Sequence, residues 1–232
     1  MITVLGASGF VGSNLVQFLK GQGESFYAPG RNEDLFDRDL GDVLYCIGMT
    51  ADFRTKPFET IESHVCKLSE ILQKAKFHSL TYLSSTRVYI NSPFLRIKVR
   101  EADTIHINSS NPSDIFAASK MTGELLALNS GRSNVKVIRL SNVFGNDFNS
   151  ENFITSVIKE ALTTQEVKIN SSPDSAKDYI AIEDVCHALF LIAGLKISGV
   201  FNLAYGSNTS NYELLSEIAK LTGTKMTYDR EA

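Results

Sequence analysis

Residues 1–12 read Met-Ile-Thr-Val-Leu-Gly-Ala-Ser-Gly-Phe-Val-Gly, and their order decides the fold. Ile2 to Leu5 is a short apolar, β-rich run that stops at Gly6. Beyond the glycines, Val11, Leu15, Phe18 and Leu19 recur at helical spacing until Gly21 and Gly23 end the pattern. Gly6, Gly9 and Gly12 therefore lie in a strand–turn–helix, spaced G-x-x-G-x-x-G. Three glycines this close would also suit a bare tight turn, but the strand before and the helix after them point to more. A glycine at the strand end permits the sharp turn, the middle one lets backbone approach a phosphate, and the third lets helix and strand pack closely. Free N–H groups and the dipole at the helix start favour an anion. The stretch is expected to hold the pyrophosphate of a nicotinamide dinucleotide, with Gly6, Ser8, Gly9, Phe10, Val11 and Gly12 around it.

Working outward, Ser25 to Ala28 reads as a second strand closed by Pro29-Gly30-Arg31, and Asp42 to Ile47 as a third that ends at Gly48. Ile47 and Gly48 join the expected cofactor contacts. An acidic side chain at the end of the second strand binds the free ribose hydroxyls of NAD, whereas arginine accommodates the 2′-phosphate of NADP. Arg31 stands there without a carboxylate at the strand end, so NADP is expected, with NAD as the alternative.

A long amphipathic helix is expected from Phe58 to Lys76, with Ile61, Val65, Leu68, Ile71 and Leu72 on one side. Leu80 to Leu83 is the next strand, running into Ser84-Ser85-Thr86. Ser113 to Leu128 reads as a helix and Val135 to Leu140 as a strand. A helix at 151–162, a strand at 166–169, a helix at 183–194, a strand at 199–203 and a helix at 210–222 follow. Short apolar strands alternating with amphipathic helices imply an α/β fold, a Rossmann-type doubly wound parallel sheet covered on both faces. A small C-terminal substrate-binding lobe is expected. The chain reads as one domain over 1–232, its cofactor-binding core at about 1–142 with later core elements, and its lobe from segments within 143–232.

Composition narrows the function classes. Of 232 residues, 43% are hydrophobic, enough for a sizeable core, and the formal net charge of −3 provides no basic field for nucleic acid or a membrane surface. Cys46, Cys66 and Cys186 are isolated among apolar neighbours, read as buried thiols, and suit neither a disulfide framework nor a zinc site. His78, His106 and His187 share no ligand spacing, so no metal is expected. No apolar run approaches the ~18 residues of a membrane span, and no leader pattern opens the chain, so a cytoplasmic protein is expected.

Several stretches resemble the extended short-chain dehydrogenase/reductases, in particular the nucleotide-sugar epimerase/dehydratase family. Besides the glycine turn, Tyr82-Leu83-Ser84-Ser85-Thr86-Arg87-Val88-Tyr89 is similar to the strand ending in that family's catalytic Ser/Thr and Val-Tyr pair. Asn111 to Glu124, with Phe116-Ala117-Ala118-Ser119-Lys120, resembles its Tyr-x-x-x-Lys helix with a trailing Gly-Glu. Arg139-Leu140-Ser141-Asn142-Val143-Phe144-Gly145 resembles R-x-x-N-V-[YF]-G; Lys177 to Val185 and Gly199 to Ala204 match later family segments in the same order.

The resemblance implies an NAD(P)-dependent enzyme, an isomerase or oxidoreductase, that moves hydride at a nucleotide-sugar carbon, C4 by preference. Ser85, with Thr86 beside it, would polarise the sugar oxygen, and Ser84 would lie at the strand end near the cofactor. Lys120 would hold the nicotinamide ribose and tune the site. Asn142 and Arg139, with Ser85, would contact the substrate. Thr86-Arg87 is not the acidic pair of many 4,6-dehydratases, which favours an epimerase or ketoreductase. The resemblance also implies a homodimer built on the helices at 58–76 and 113–128. His64 stands where the family often has an Asn that steadies the active-site helix; it could hydrogen-bond likewise and titrate near neutral pH, or be a partly exposed helical histidine.

The main departure is Phe116, where the family has its proton-transfer tyrosine. A phenol ordinarily titrates near 10, and a lysine at i+4 on the same helix face favours its phenolate. Phe116 removes that group, typically worth ~10²–10⁴ in rate. Three readings stay open: a substitution introduced to trap a complex, an enzyme using Tyr89, Thr86 or a bound water instead, and a catalytically silent NADP-binding regulator or scaffold. The stretch from Arg31 to Asp42 is also short for the family, and the C-terminal end after Tyr228 suggests a minimal lobe or a missing piece.

Overall fold

A computed structural model describes residues 1–50, 52–93, 98–146 and 152–228. Contacts divide the chain into two units, Met1–Ser141 with Ile182–Leu203, and Asn142–Ala181 with Ala204–Ala232. The first half supplies β1 (Ile2–Leu5), α1 (Phe10–Gly21), β2 (Phe26–Tyr27), β3 (Asp42–Tyr45), α2 (Pro57–Ile61), a π turn (Glu62–Cys66), α3 (Lys67–Lys74), β4 (Ser79–Ser85), α4 (Ile115–Asn129) and β5 (Val135–Leu140). Then come β6 (Asn142–Phe144), α5 (Phe153–Thr163), β7 (Glu166–Ile169), β8 (Ala176–Ala181), α6 (Ile182–Ala193), β9 (Gly199–Leu203), β10 (Asn208–Ser210), α7 (Asn211–Thr222) and β11 (Lys225–Tyr228).

The first unit is a six-stranded parallel sheet in the order β2-β1-β3-β4-β5-β9. Its register pairs Leu5 with Tyr45, Tyr45 with Tyr82, and Leu83 with Ile138. Every residue of β1 and β5 is buried, as expected for strands covered on both faces. On one face, Phe18 of α1 packs against His187 and Phe190 of α6. On the other, Leu68, Ile71 and Leu72 of α3 and Ala127 of α4 close over Tyr45, Leu80, Tyr82 and Val137. Lys136 is fully buried within β5, yet its ammonium donates to Ala193 O at 3.2 Å and Leu195 O at 2.7 Å, satisfying carbonyls at the end of α6.

The π turn has a visible cause. Tyr45 Oη donates to Ser63 O at 2.7 Å, and Tyr82 Oη donates to His64 O at 3.2 Å, so two buried phenols engage the widened turn. A Cβ on Gly123 would lie 2.5 Å from Tyr82 Oη and 2.7 Å from His64 O. Only glycine lets α4 lie this close. The expected single helix at 58–76 is thus interrupted, since hydrogen-bonding demand from the sheet overrides its periodicity.

The second unit is a smaller α/β assembly. It has a three-stranded mixed sheet, β10-β8-β6, and a parallel pair, β11-β7. Val157 and Ala161 of α5, Val167 and Ile169 of β7, and Leu215 and Ile218 of α7 form its core. A capping box between Ser210 and Glu213 starts α7, and Gly223 ends it in the left-handed region at φ 73°. Strands β6, β8, β10 and β11 are additional to the expected elements; they carry exposed or partly buried polar residues and lack a clean apolar alternation. Residue 151, where a helix was expected to start, and residues 229–232 lie outside the described residues. Cysteine burial needs correction too: Cys186 is buried, but Cys46 is only partly covered and Cys66 is exposed on the π turn.

Candidate active site

The three glycines of the first turn differ in what makes them glycine. Gly6 has φ +86°, and a Cβ there would lie 2.8 Å from Ile47 N. A Cβ on Gly12 would come 2.2 Å from Gly6 O, so α1 could not approach β1 with any larger residue. A Cβ on Gly9 would meet only Gly6 O at 3.5 Å, an ordinary contact. The protein's own packing does not demand glycine at 9. Gly9 is the N-cap of the twelve-residue α1 and no side chain caps it. Exposed Ser8 and Gly9, followed by the backbone of Phe10, Val11 and Gly12, thus leave a bare surface at a positive helix end. These residues fit a dinucleotide pyrophosphate.

At the end of β2, Arg31 is exposed, but a carboxylate is present as well. Glu33 Oε2 accepts from Gly30 N at 3.0 Å and Oε1 accepts from Tyr27 Oη at 2.5 Å. The phenol's hydrogen bond, followed by the Gly30 amide, holds this carboxyl below its usual range. A local turn brings an acid back to a strand end that lacks one in linear order.

Ser85 ends β4, and its Oγ accepts from Arg87 N at 3.1 Å, capping a short 3₁₀ turn over Thr86–Tyr89. Ser84 is turned the other way: it is buried and donates to Glu124 Oε1 at 2.6 Å, which gives it a partner on α4 in place of the expected cofactor contact. Lys120 is buried on α4 with its ammonium donating to Leu83 O at 2.8 Å. A Cβ on Gly48 would stand 3.4 Å from Lys120 Nζ and 3.3 Å from His64 Nε2. Burial pulls the Lys120 ammonium down to about 7, against the opposing influence of Glu124 and Cys46.

Phe116 lies one helical turn before Lys120, buried against Phe53 at 5.2 Å and edge-on to His64 at 5.5 Å between ring centroids. His64 is fully buried, not partly exposed. Its Nε2 accepts from Met49 N at 3.1 Å, so the ring proton sits on Nδ1, which donates to Ser119 Oγ at 2.8 Å. Ser119 Oγ donates in turn to Phe116 O at 3.0 Å. Burial, then the charge of Lys120, lowers the imidazole to about 3, so the ring stays neutral at neutral pH. Tyr89 is also fully buried; its hydroxyl donates to Asn202 Oδ1 at 2.9 Å and accepts from Arg139 Nη1 at 2.7 Å. That hydroxyl is already committed.

Arg139, expected at the substrate, is buried and chelated instead. Its guanidinium donates to Glu124 Oε2 at 2.6 Å and Oε1 at 3.0 Å, as well as to Tyr89 and the Glu101 carbonyl. Asn142 belongs to the second unit, where its Nδ2 donates to Asp178 O at 2.9 Å. Linear reading missed Glu33, Phe53, Arg54 and the buried Glu124–Arg139 pair. An arginine directly after the Ser-Ser-Thr run was the available signal for Arg87. Among the described residues, no three His, Cys, Asp or Glu side chains group as a metal site, and no helix is long and apolar enough to cross a membrane.

A parallel sheet with a phosphate-seating turn, and a hydroxyl and a buried lysine near its carboxyl ends, define a dinucleotide-binding α/β protein. The chain belongs to the NAD dependent epimerase/dehydratase family, whose model matches residues 2–204. It is 26% identical to the UDP-glucose 4-epimerase of Mycolicibacterium smegmatis over an alignment 263 positions long, spanning 95% of this chain and 82% of that enzyme. Among solved structures, MoeE5 in complex with UDP-glucose and NAD superimposes with a TM-score of 0.81 at 24% identity, covering 98% of this chain and 84% of that one. RMD from Pseudomonas aeruginosa complexed with NADPH gives 0.80 at 20% identity, covering 98% and 86%.

Proposed function

We propose that this chain binds a nicotinamide dinucleotide and a nucleotide sugar, and serves hydride transfer at a sugar carbon as an epimerase or a 4-ketoreductase/dehydratase. One observation carries the reading: Lys120 Nζ is buried on Leu83 O, two residues before Ser85, and lies beside Gly48 in the stretch that follows β3. When bound, the nicotinamide supplies the hydride acceptor or donor. Ser85 Oγ polarises the sugar oxygen, and the Lys120 ammonium holds the ribose. The turn at Gly6, Gly9 and Gly12 holds the pyrophosphate, and Ile47 and Gly48 border the dinucleotide. Arg139 supports the site through Glu124. Glu33 at the end of β2 supplies the acceptor that a free 2′-hydroxyl needs, so we take the dinucleotide to be NAD. Arg31 is the feature that favours NADP.

Phe116 favours a second reading, a cofactor-binding protein of this fold without catalysis. Thermal stabilisation of the cofactor-loaded protein by UDP-, GDP-, CDP- and dTDP-sugars separates the two. Stabilisation by at least one, with a change in nicotinamide absorbance on mixing, is the expected result. Cofactor binding with no response to any sugar nucleotide would establish the silent reading instead. A homodimer is part of the proposal, supported by Phe58 at 85% and Leu125 at 59% exposure on α2 and α4. A monomeric mass in light scattering would remove it.

A further inference from the structure

We propose that Arg54 and Arg87 form an anion site beside Phe116, and that the sugar this chain takes carries a carboxylate. The proposal rests on the nucleotide-sugar reading and narrows its substrate class.

The two guanidiniums share one aromatic platform. Arg54 Cζ lies 4.6 Å and Arg87 Cζ 5.1 Å from the centroid of Phe53, and Arg87 Cζ is 5.9 Å from that of Phe116. Aromatic faces orient guanidiniums but do not neutralise them. Arg87 Nε is buried without an acceptor. Arg54 donates from Nε to Ser113 Oγ at 2.9 Å, and among the described residues neither arginine has an ion-pair partner. The nearby carboxylate of Asp114 is occupied by Asn91, Asn108 and Asn111. Burial and then the charge of Arg54 push the Arg87 guanidinium below its ordinary range, against the opposing charge of Asp114. Two like charges gathered on one ring, one of them with a buried orphan donor, have the electrostatics of a site completed by an anion.

Its position identifies the anion. The Arg87 amide donates to Ser85 Oγ, so the turn that presents the candidate hydroxyl also presents this guanidinium. Phe116 marks the other border. With the Arg87 backbone at Ser85 Oγ and its guanidinium 5.9 Å from the Phe116 ring, we take an anion held here to be part of the sugar. The diphosphate is separated from a C4 oxygen by the width of the sugar ring. A carboxylate on C5 is the neighbour of C4 and matches the planar fork of an arginine.

Calorimetric titration of the NAD-loaded protein with matched pairs tests the proposal: UDP-glucose against UDP-glucuronate, UDP-galactose against UDP-galacturonate, and GDP-mannose against GDP-mannuronate. In one pair the acid is expected to bind about ten-fold more tightly than its neutral twin. Arg87→Gln and Arg54→Gln are expected to weaken the acid about ten-fold more than the neutral sugar. A neutral twin that binds as well as the acid overturns the proposal and leaves the nucleotide-sugar reading standing. Equal losses for acid and neutral sugar assign the arginines to the diphosphate and also overturn it. No binding of any pair removes both readings. The wild-type comparison alone decides if a variant fails to fold.

Discussion

The imidazole of His64 meets the ring of Phe116 at 88°, and through Ser119 Oγ it also reaches the Phe116 carbonyl. Ring and backbone of residue 116 are thus held by the same side chain, itself fixed by the Met49 amide. The position that lacks a hydroxyl is rigidly built.

A hydroxyl restored there should therefore arrive in a defined place. Phe116→Tyr is expected to raise turnover of a responsive nucleotide sugar by about 10²–10⁴. Single-turnover nicotinamide absorbance measures it. An unchanged rate would show that proton transfer uses a different group.

The glycine turn separates packing from ligand approach. Gly12→Ala pushes a methyl toward Gly6 O and should cost about 3 kcal/mol of stability, read from denaturant melts. Gly9→Ala should cost at most about 1 kcal/mol, because its Cβ meets only an ordinary contact and alanine is a poorer N-cap. Dinucleotide affinity should nevertheless fall at least ten-fold in Gly9→Ala, measured by fluorescence titration.

Arg139 and Glu124 are exposed by only 3% and 2% of their side chains. Arg139→Met leaves an uncompensated buried carboxylate and is expected to destabilise by about 3–5 kcal/mol. Adding Glu124→Leu should recover most of that loss. A large drop in sugar affinity with unchanged stability would return Arg139 to the substrate.

His64 makes the fold acid-sensitive. Its imidazole titrates near 6.5 in the unfolded chain and at about 3 in the folded one. The unfolded state therefore binds the extra proton between these values. This contribution is complete above about 6.5 and is lost as pH falls toward 3, at about 1.4 kcal/mol per unit. His64→Asn should flatten that part of the stability profile in urea melts.

Lys120 has the same sign in a different window. Burial lowers its folded value to about 7 from 10.5, so the cost of the buried ammonium is full below 7 and is relieved as pH rises toward 10.5. Lys120→Met should be more stable than the parent at neutral pH while losing dinucleotide affinity. A parent stability that does not rise between these values would overturn the assignment.

The strands of the six-stranded sheet were legible because their apolar runs are continuous, and the glycine turn because its flanks have two different periods. The strands of the second unit, β6, β7, β8, β10 and β11, were legible only in part, since Asn142, Lys177 and Asn208 lie in strands without a buried stripe. Lys120 and Phe116 could be placed by helical spacing alone. The direction of Ser84 could not, because it depends on Glu124, forty residues away. Glu33 was missed because its turn doubles back on Gly30, and His64 because its burial comes from α4.

The π turn is a matter of phase. Lys67 N bonds to Glu62 O, five residues back, so this helix carries one residue more than a regular turn would hold. Deleting a single residue between Glu62 and Cys66 would let the backbone close regularly, but would rotate the preceding part of the helix by about 100° relative to α3. Ser63 and His64 could not both keep their places above the phenols of Tyr45 and Tyr82, nor His64 its reach to Met49 and Ser119. The site beside Phe116 thus depends on one surplus residue in a helix that supplies only one of its side chains.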